Sequence, residues 1–137
     1  MKALTSLLAA AATAVLLAAC STAPAEQTRS PQAAKELADA LAGRVAGPPQ
    51  RCISTYRTTK VNAIDDFTIL YDQGSTIYVQ NPRGGCPGIG SGSDILVTRQ
   101  TTNQLCNGEI AQTVDLTSRI ERGGCVFGPF VPYTRPR

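Results

Sequence analysis

The sequence predicts an all-β fold, a small antiparallel meander arranged as a barrel or sandwich of about six short strands with two disulfides. Three observations support this prediction. Runs of alternating apolar and polar residues are separated by short turns that contain glycine. Four of the five cysteines lie after residue 50. Aromatic residues make up 5% of the chain and Trp is absent, so the core must be small and needs covalent support.

The first nineteen residues have the layout of a secretory signal peptide. Lys2 provides a positive start, and the stretch from Ala3 to Ala19 carries no charge. A membrane-spanning helix is the alternative, but a span needs about 20 strongly apolar residues, and this stretch is shorter and rich in Ala. We therefore predict a signal peptide that is removed on export.

Cys20 follows directly, in a pattern that resembles the lipobox of bacterial lipoproteins, Leu17-Ala18-Ala19-Cys20. The resemblance implies that the thiol of Cys20 is acylated and that cleavage occurs before it. Two acyl chains anchor a protein stably, whereas one binds a membrane only marginally. The alternative is an ordinary signal-peptidase site with an incidental cysteine. Ser21, rather than Asp, after the cysteine favours the outer membrane, with the protein facing the periplasm or exposed at the cell surface.

A tether with one short helix is predicted for residues 20–50. Ser, Thr, Ala, Pro, Glu and Gln dominate from Ser21 to Ser30, and this composition cannot form a core. Ser30 suits an N-cap and Pro31 the first helical position, and good helix formers continue to Ala42. The helix could pack on the domain, on the bilayer or on nothing, so the tether is expected to be dispensable for folding.

Residues 51–137 are predicted to form the β domain. Alternation and turn residues place its strands near residues 52–57, 67–72, 76–80, 95–99, 109–116 and 126–131. A turn-rich loop from Asn81 to Ser93, which includes the stretch from Arg83 to Gly92, separates the third strand from the fourth.

Four cysteines remain once Cys20 is assigned to lipid: Cys52, Cys86, Cys106 and Cys125. An even number in a small exported chain indicates disulfides. If six strands alternate up and down, Cys52 and Cys106 fall at one end and Cys86 and Cys125 at the other, which favours those two pairs. A zinc site is the alternative, but the chain has no Cys-x-x-Cys pair and no His, and zinc ligands come in close pairs.

Charge excludes one class of partner. Without residues 1–19 the chain has 12 basic and 10 acidic residues, a net charge of +2, and no run of one sign. Nucleic-acid binders show a basic patch or stripe, so we expect no nucleic-acid partner.

The stretch from Arg51 to Tyr133 resembles a domain family of unknown function found in small exported proteins and lipoproteins of proteobacteria. Three motifs are shared, Cys-Pro-Gly, Leu-Cys-x-Gly and Cys-x-x-Gly-x-Phe. They occur here as Cys86-Pro87-Gly88, Leu105-Cys106-Asn107-Gly108 and Cys125-Val126-Phe127-Gly128-Pro129-Phe130. Glu109 stands where the resemblance leads us to expect Asp. The resemblance implies an exported β-rich domain and transfers no catalytic residue.

Little in the chain indicates catalysis. The one carboxylate pair, Asp65-Asp66, is adjacent on an extended chain, where neighbouring side chains point apart, so a turn role is favoured. The glycines around Cys86 lack the spacing and the Lys-Ser/Thr of a phosphate-binding loop. Nucleophilic Ser or Cys normally needs a His base, and Lys35 and Lys60, the lysines after Cys20, lie in polar surroundings. We expect no enzyme activity, no cofactor and no metal.

Two functional hypotheses follow. The first is a lipid-anchored, non-catalytic module of the cell envelope that binds or stabilises another envelope component, an envelope protein of unknown identity. The second is an inhibitor of a secreted or periplasmic hydrolase that inserts the loop from Arg83 to Gly92 into the enzyme. An unrecognised hydrolase is a third and weaker hypothesis.

Overall fold

The computed structural model describes residues 28–137. The predicted signal peptide, Cys20 and the first part of the tether lie outside the described residues, so these stay predictions. In the described part the order is one helix and ten strands: α1 (Pro31–Leu41), β1 (Val45–Ala46), β2 (Cys52–Ser54), β3 (Lys60–Asp65), β4 (Thr68–Gln73), β5 (Thr76–Gln80), β6 (Asp94–Thr98), β7 (Gln104–Cys106), β8 (Ile110–Asp115), β9 (Glu121–Val126) and β10 (Phe130–Thr134).

The strands form three antiparallel sheets. Five strands make one sheet in the order β1-β10-β5-β4-β3, three make a second in the order β6-β8-β9, and β2 pairs with β7. The predicted all-β class, with a short helix and two disulfides, is confirmed. The predicted number of about six strands is too low, and the order is not a simple up-and-down meander, because β10 returns to pair with β5 and β7 leaves to pair with β2.

The strands that the sequence missed are short or poor in β-forming residues. β9 contains Glu121, Arg122, Gly123 and Gly124, which are depleted in strands, yet it pairs along its length with β8. β7 has three residues and lies between the strands predicted near residues 95–99 and 109–116. Since strand propensity depends on neighbours as much as on the residue itself, pairing decides such segments.

The helix starts as the sequence predicts. The Ser30 side chain accepts a hydrogen bond from the Ala33 amide at 3.2 Å, Pro31 opens the helix, and Gly43 has φ +69° just after its end. The left-handed conformation of Gly43 suits a glycine, since a Cβ is disfavoured there.

Each face of the five-stranded sheet packs against something different. The side chains of Ile69 and Tyr71 on β4 enter the main core, whereas that of Leu70 points to the opposite face, as alternation requires. The main core receives residues from all three sheets, and its largest fully buried side chains include Phe127 and Phe130.

Helix α1 covers the opposite face. Ala33 is 6% exposed and belongs to a second apolar cluster with Ile64, Leu70, Ile77 and Val79. The packing of the helix, left open by the sequence, is therefore on the domain. β1 also pairs with β10, and Gln50 bridges to Phe130, so residues 28–50 contact the β domain and residues 51–137 alone would leave these surfaces uncovered.

Two disulfides close the fold, Cys52–Cys106 and Cys86–Cys125, the pairs that the sequence favoured. Cys52 and Cys106 lie directly opposite each other on β2 and β7. Cys86 joins the loop after β5 to β9 and is fully buried in the main core. Within residues 28–137, no helix has the length and apolar character needed to cross a membrane.

Candidate functional site

The main core opens to the surface between β3 and β6. Each of these strands is at the edge of its sheet, with one side unpaired within residues 28–137. The opening, here called the cleft, has a volume of about 570 Å³. It is lined by Thr55, Thr58, Val61, Ala63, Ile69, Tyr71, Ile89, Asp94, Ile95, Leu96, Thr98, Gln100 and Leu105.

Most of the cleft wall is apolar, and its floor is formed by the core itself. Ile69, Ile89 and Leu105 are each less than 9% exposed. Val61 and Ile95, in contrast, are 52% and 43% exposed, so apolar surface continues from the floor to the rim. A concave apolar site with a few polar groups is the usual form of a ligand-binding pocket.

Three residues of the lining carry a buried polar atom without a hydrogen-bond partner in the described part of the chain. These atoms are Tyr71 Oη, Asp94 Oδ2 and Gln100 Nε2. A buried polar atom left unpaired costs about 1–3 kcal/mol, and such atoms call for an explanation, which a bound group or water can supply. Gln80 also has unpaired side-chain atoms, but it does not line the cleft and nothing in the structure explains it.

Asp94 belongs to a group of three charges on the β6-β8-β9 sheet. It lies opposite Asp115 in the β6–β8 ladder, and their side chains are 0% and 9% exposed. Arg122 contacts both, with its Nε 3.4 Å from Asp94 Oδ1 and its Nη2 bonded to Asp115 Oδ2. Two carboxylates therefore share one guanidinium, and Asp94 Oδ2 stays free.

The environment shifts the pKa of two groups near the cleft. Hydrogen bonds from the Ser118 amide and from Arg122 hold the pKa of the Asp115 carboxyl well below its usual range. Burial raises the pKa of the Tyr71 hydroxyl above its usual value of 10.0, so the group stays protonated and can donate at neutral pH.

β3 and β6 run in opposite directions across the cleft. A Cβ on Gly90 would lie 2.6 Å from Asp65 Cα, so the end of β3 touches the loop that precedes β6. The start of β3 therefore faces the end of β6. At that end Arg57, Lys60 and Arg99 are exposed, and the one ion pair they form within residues 28–137 is Arg99 with Glu121 at 4.0 Å. None of these three cations lines the cleft, and Lys60 lies opposite Asp72 on β4. The charged group of the cleft is therefore Asp94, whose Oδ2 is free at the start of β6.

A second cavity, of about 680 Å³, lies beside the N-terminus of α1 and includes the predicted turn residues Asp65 and Asp66. Asp65 accepts hydrogen bonds from the Phe67 amide at 2.9 Å and from Arg29 Nε at 2.6 Å. Asp66 Oδ1 accepts from the Gly90 amide at 2.9 Å. The two carboxylates do not converge, and both are already bonded to protein groups, so this cavity is the weaker candidate.

The loop from Arg83 to Gly92 is part of the wall of the core. Its Cys86 amide donates to the Asp66 carbonyl at 2.6 Å, Ile89 is buried, and Arg83 bridges to Val126. Gly90, Ser91 and Gly92 are exposed at its outer side. The loop lacks the context of a phosphate-binding loop, because it leads into β6 rather than into a helix.

The lysines that follow Cys20 lie on the surface. Lys35 Nζ is 2.5 Å from Asp39 Oδ2, and this exposed pair raises the pKa of Lys35. Lys60 is exposed at the start of β3. Within residues 28–137, no group of three or more His, Cys, Asp or Glu side chains is placed to hold a metal ion.

Sequence reasoning missed the cleft. Tyr71 was assigned to a buried strand face, and Asp94 and Gln100 lie beside predicted strands without any motif. The signal that could have drawn attention to Asp94 is a carboxylate directly before the apolar run from Ile95 to Val97. Such a residue is also common in turns, so the pattern alone is weak.

Fold and cleft together define a small disulfide-bonded β domain with one packed helix and an open, mainly apolar cleft. The chain belongs to a family of unknown function, DUF6491, which matches residues 3–125. No curated protein and no solved structure matches the chain.

Proposed function

We propose that this protein is a lipid-anchored component of the bacterial cell envelope whose β domain binds another envelope component in the cleft, without catalysis. The observation that supports it most is the opening of the main core between two edge strands, where three buried polar atoms lack partners. At the rim of this opening Val61 and Ile95 are exposed, and an occupant would cover this apolar surface.

The proposed anchor lies close to the folded domain in sequence. Cys20 precedes Thr28 by eight positions, which span at most about 29 Å when fully extended. Because α1 packs on the domain, the tether is shorter than the sequence suggested. Arg29 contacts Asp65 and Thr68 at the end of β3, so the end of the cleft at the start of β3 is the one farther from the anchor.

Photo-cross-linking in intact cells tests this function. Val61, at the rim of the cleft, is replaced by p-benzoylphenylalanine in the full chain. The matched control carries the same group at Ile110, which is 67% exposed and does not line the cleft. We expect adducts from position 61 that are absent from position 110 and that disappear when Ala63→Phe fills the cleft. The same adducts from both positions, or none from either, would contradict the proposal.

The inhibitor hypothesis stays a prediction that no described contact tests. Its inserting surface would be the outer side of the loop from Arg83 to Gly92, since Cys86 and Ile89 are buried. A panel of lysozymes and proteases assayed with the full chain would test it, and unchanged rates throughout would argue against it.

A further inference from the structure

The free edge of β6 is unprotected. It begins with Asp94, whose buried side chain is paired with Arg122, but Ile95, Leu96, Val97 and Thr98 carry no charge, and the strand pairs with β8 through all five positions without a bulge. Exposed edges of regular, apolar strands attract other strands, because their backbone N–H and C=O groups are unpaired. Soluble proteins therefore usually protect such edges with charges, bulges, proline or a covering element.

The other long sheet edges of the described chain have that protection. β3 begins with Lys60 and contains a bulge between Ala63 and Asp65. Its Asn62 side chain donates a hydrogen bond to Glu36 of α1. β9 begins with Glu121 and Arg122 and has an irregular register beside Thr113. β1 has two residues, and β2 and β7 have three each. Among these edges β6 combines length, regularity and apolar character.

The hydrogen-bond pattern shows which backbone groups of β6 are free. The Leu116 amide donates to the Ser93 carbonyl at 2.9 Å. Bonded and non-bonded pairs alternate along an antiparallel ladder, so Ile95 and Val97 exchange bonds with β8. The N–H and C=O groups of Leu96 and Thr98 point the other way, towards the edge that faces the cleft.

The side chains around this edge define what could bind there. The unpaired atoms are of both kinds, since Asp94 Oδ2 accepts, Gln100 Nε2 donates and Tyr71 Oη does either. The floor is apolar. An extended peptide supplies N–H donors, C=O acceptors and alternating side chains on one face.

We propose that the cleft binds an extended peptide segment that adds as a strand to the free edge of β6, with apolar side chains facing the core. This inference rests on the proposed function and names the class of its ligand. Backbone bonds to an edge strand provide affinity in such strand addition, and pockets for alternate side chains provide specificity.

The test uses the full chain in lipid nanodiscs and a displayed library of random octapeptides, with empty nanodiscs as background. We expect enriched peptides with apolar residues at alternate positions. Enriched peptides that lack this alternation, or no enrichment over background, would overturn the proposal.

A backbone substitution separates strand addition from simple filling of an apolar space. Thr98→Pro removes an N–H that β8 does not use, whereas Thr98→Val changes the side chain and keeps the N–H. We expect the best enriched peptide to bind Thr98→Pro at least tenfold more weakly than the wild type, and to bind Thr98→Val within about twofold of it. Equal affinity for the wild type and a folded Thr98→Pro variant would overturn strand addition.

A change in the peptide keeps the proposal testable should Thr98→Pro fail to fold. N-methylation of alternate peptide residues blocks one row of N–H groups at a time. One of the two alternate methylation sets should abolish binding to the wild-type chain while the other leaves it within a few fold. Equal tolerance of both sets would contradict strand addition.

Failure of this inference can be distinguished from failure of the proposed function. Dansylated undecanoic acid serves as a small amphiphilic probe of the cleft. If the probe binds the wild type but not Ala63→Phe, and no peptide binds the wild type, the peptide inference is wrong and cleft binding stands. If neither probe binds and position 61 gives no specific adduct in cells, both proposals are wrong.

Discussion

The Asp115 carboxylate accepts four hydrogen bonds. Its Oδ1 accepts from the Thr117 amide at 2.9 Å, the Ser118 amide at 2.7 Å and the Ser118 hydroxyl at 3.0 Å. Its Oδ2 accepts from Arg122. Because all these donors favour the ionised carboxylate, the pKa of Asp115 is lowered in the folded state. Arg122 is positioned in turn to reach Asp94 at the cleft.

This depressed pKa predicts a specific acid sensitivity. A carboxyl whose pKa is lower in the folded state stabilises the fold above its unfolded pKa of about 3.9. That stabilisation is lost as the pH falls through the folded pKa. We expect thermal unfolding of the wild type to shift to lower temperature between about pH 4 and pH 2. Asp115→Asn should be less stable at pH 7 and should shift less over the acid range.

Asp39→Asn is the matched control for the acid experiment. Asp39 pairs with Lys35, but its side chain is 65% exposed, and exposed pairs contribute little to stability. Its acid shift should equal that of the wild type. An Asp115→Asn variant with the full wild-type shift would show that other carboxylates control acid unfolding.

Residue-level reading of the sequence succeeded where the chemistry is local. The turn role of Asp65 and the N-cap of Ser30 depend on neighbours within three positions. Asp94, Tyr71 and Gln100 could not be grouped in this way, because strands distant in sequence bring them to the cleft.

The hairpin of β4 and β5 shows what strand patterns can and cannot predict. β5 has the predicted bounds, and Ile77 and Val79 share a face as alternation indicates. On β4, however, Thr68 to Tyr71 are all buried, because α1 covers one face and the main core the other. Alternation identified which residues of β4 share a face, but a face that looks polar in the sequence can still be covered by another element.

The disulfides have the predicted partners for a different reason. The sequence argument placed Cys52 and Cys106 at the same end of a six-strand meander. In the structure they are direct neighbours in the β2–β7 ladder, outside the two larger sheets. Closing a long loop by a disulfide stabilises a domain by about 2–4 kcal/mol, a large share for a chain with a small core.

Packing of α1 on the sheet predicts unequal effects of two neighbouring substitutions. Ala33 is buried against the sheet, and Ala34 is exposed on the same helix. Ala33→Glu should destabilise the fold by about 1–3 kcal/mol, since it inserts a charged side chain into an apolar contact. Ala34→Glu should change stability by less than about 0.5 kcal/mol. Thermal or urea unfolding measures both.

Equal stability of the two helix variants would mean that α1 is not a structural part of the domain in solution. A chain beginning near Pro49 would then keep its thermal midpoint, as the sequence suggested. Loss of stability in Ala33→Glu alone would extend the folded unit to about residue 29, where Arg29 contacts Asp65.

At the scale of the whole molecule, the proposed anchor is close to one end of the cleft. Eight positions separate Cys20 from Thr28, and Arg29 is bonded at the end of β3. Membrane attachment at this point would leave Val61, at the other end of β3, accessible to other envelope molecules. A tightly tethered domain also has a high effective concentration for membrane-bound partners.

Lipidation predicts a clear biochemical result. Cys20→Ser removes the thiol that would be acylated, so the variant should incorporate no labelled palmitate and should accumulate as a precursor or appear in the soluble fraction. The wild type should be labelled. Label retained in Cys20→Ser would contradict the lipoprotein assignment.

The sequence by itself determined what depends on composition and short-range pattern. The β class, the single helix, the disulfides and the strong strands β4, β5, β6 and β8 follow from alternation, turn residues and an even cysteine count. The sequence motifs also predicted that the chain belongs to a domain family of unknown function, and the chain does belong to one.

Only the tertiary structure decided the rest. Pairing turned Glu121–Val126 into a strand despite its glycines and charges, and packing placed α1 on the sheet. The cleft exists because β3 and β6 end their sheets without meeting, a relation between segments about 30 residues apart. Local patterns carry no information on which edges stay unpaired, because that depends on how every other strand is paired.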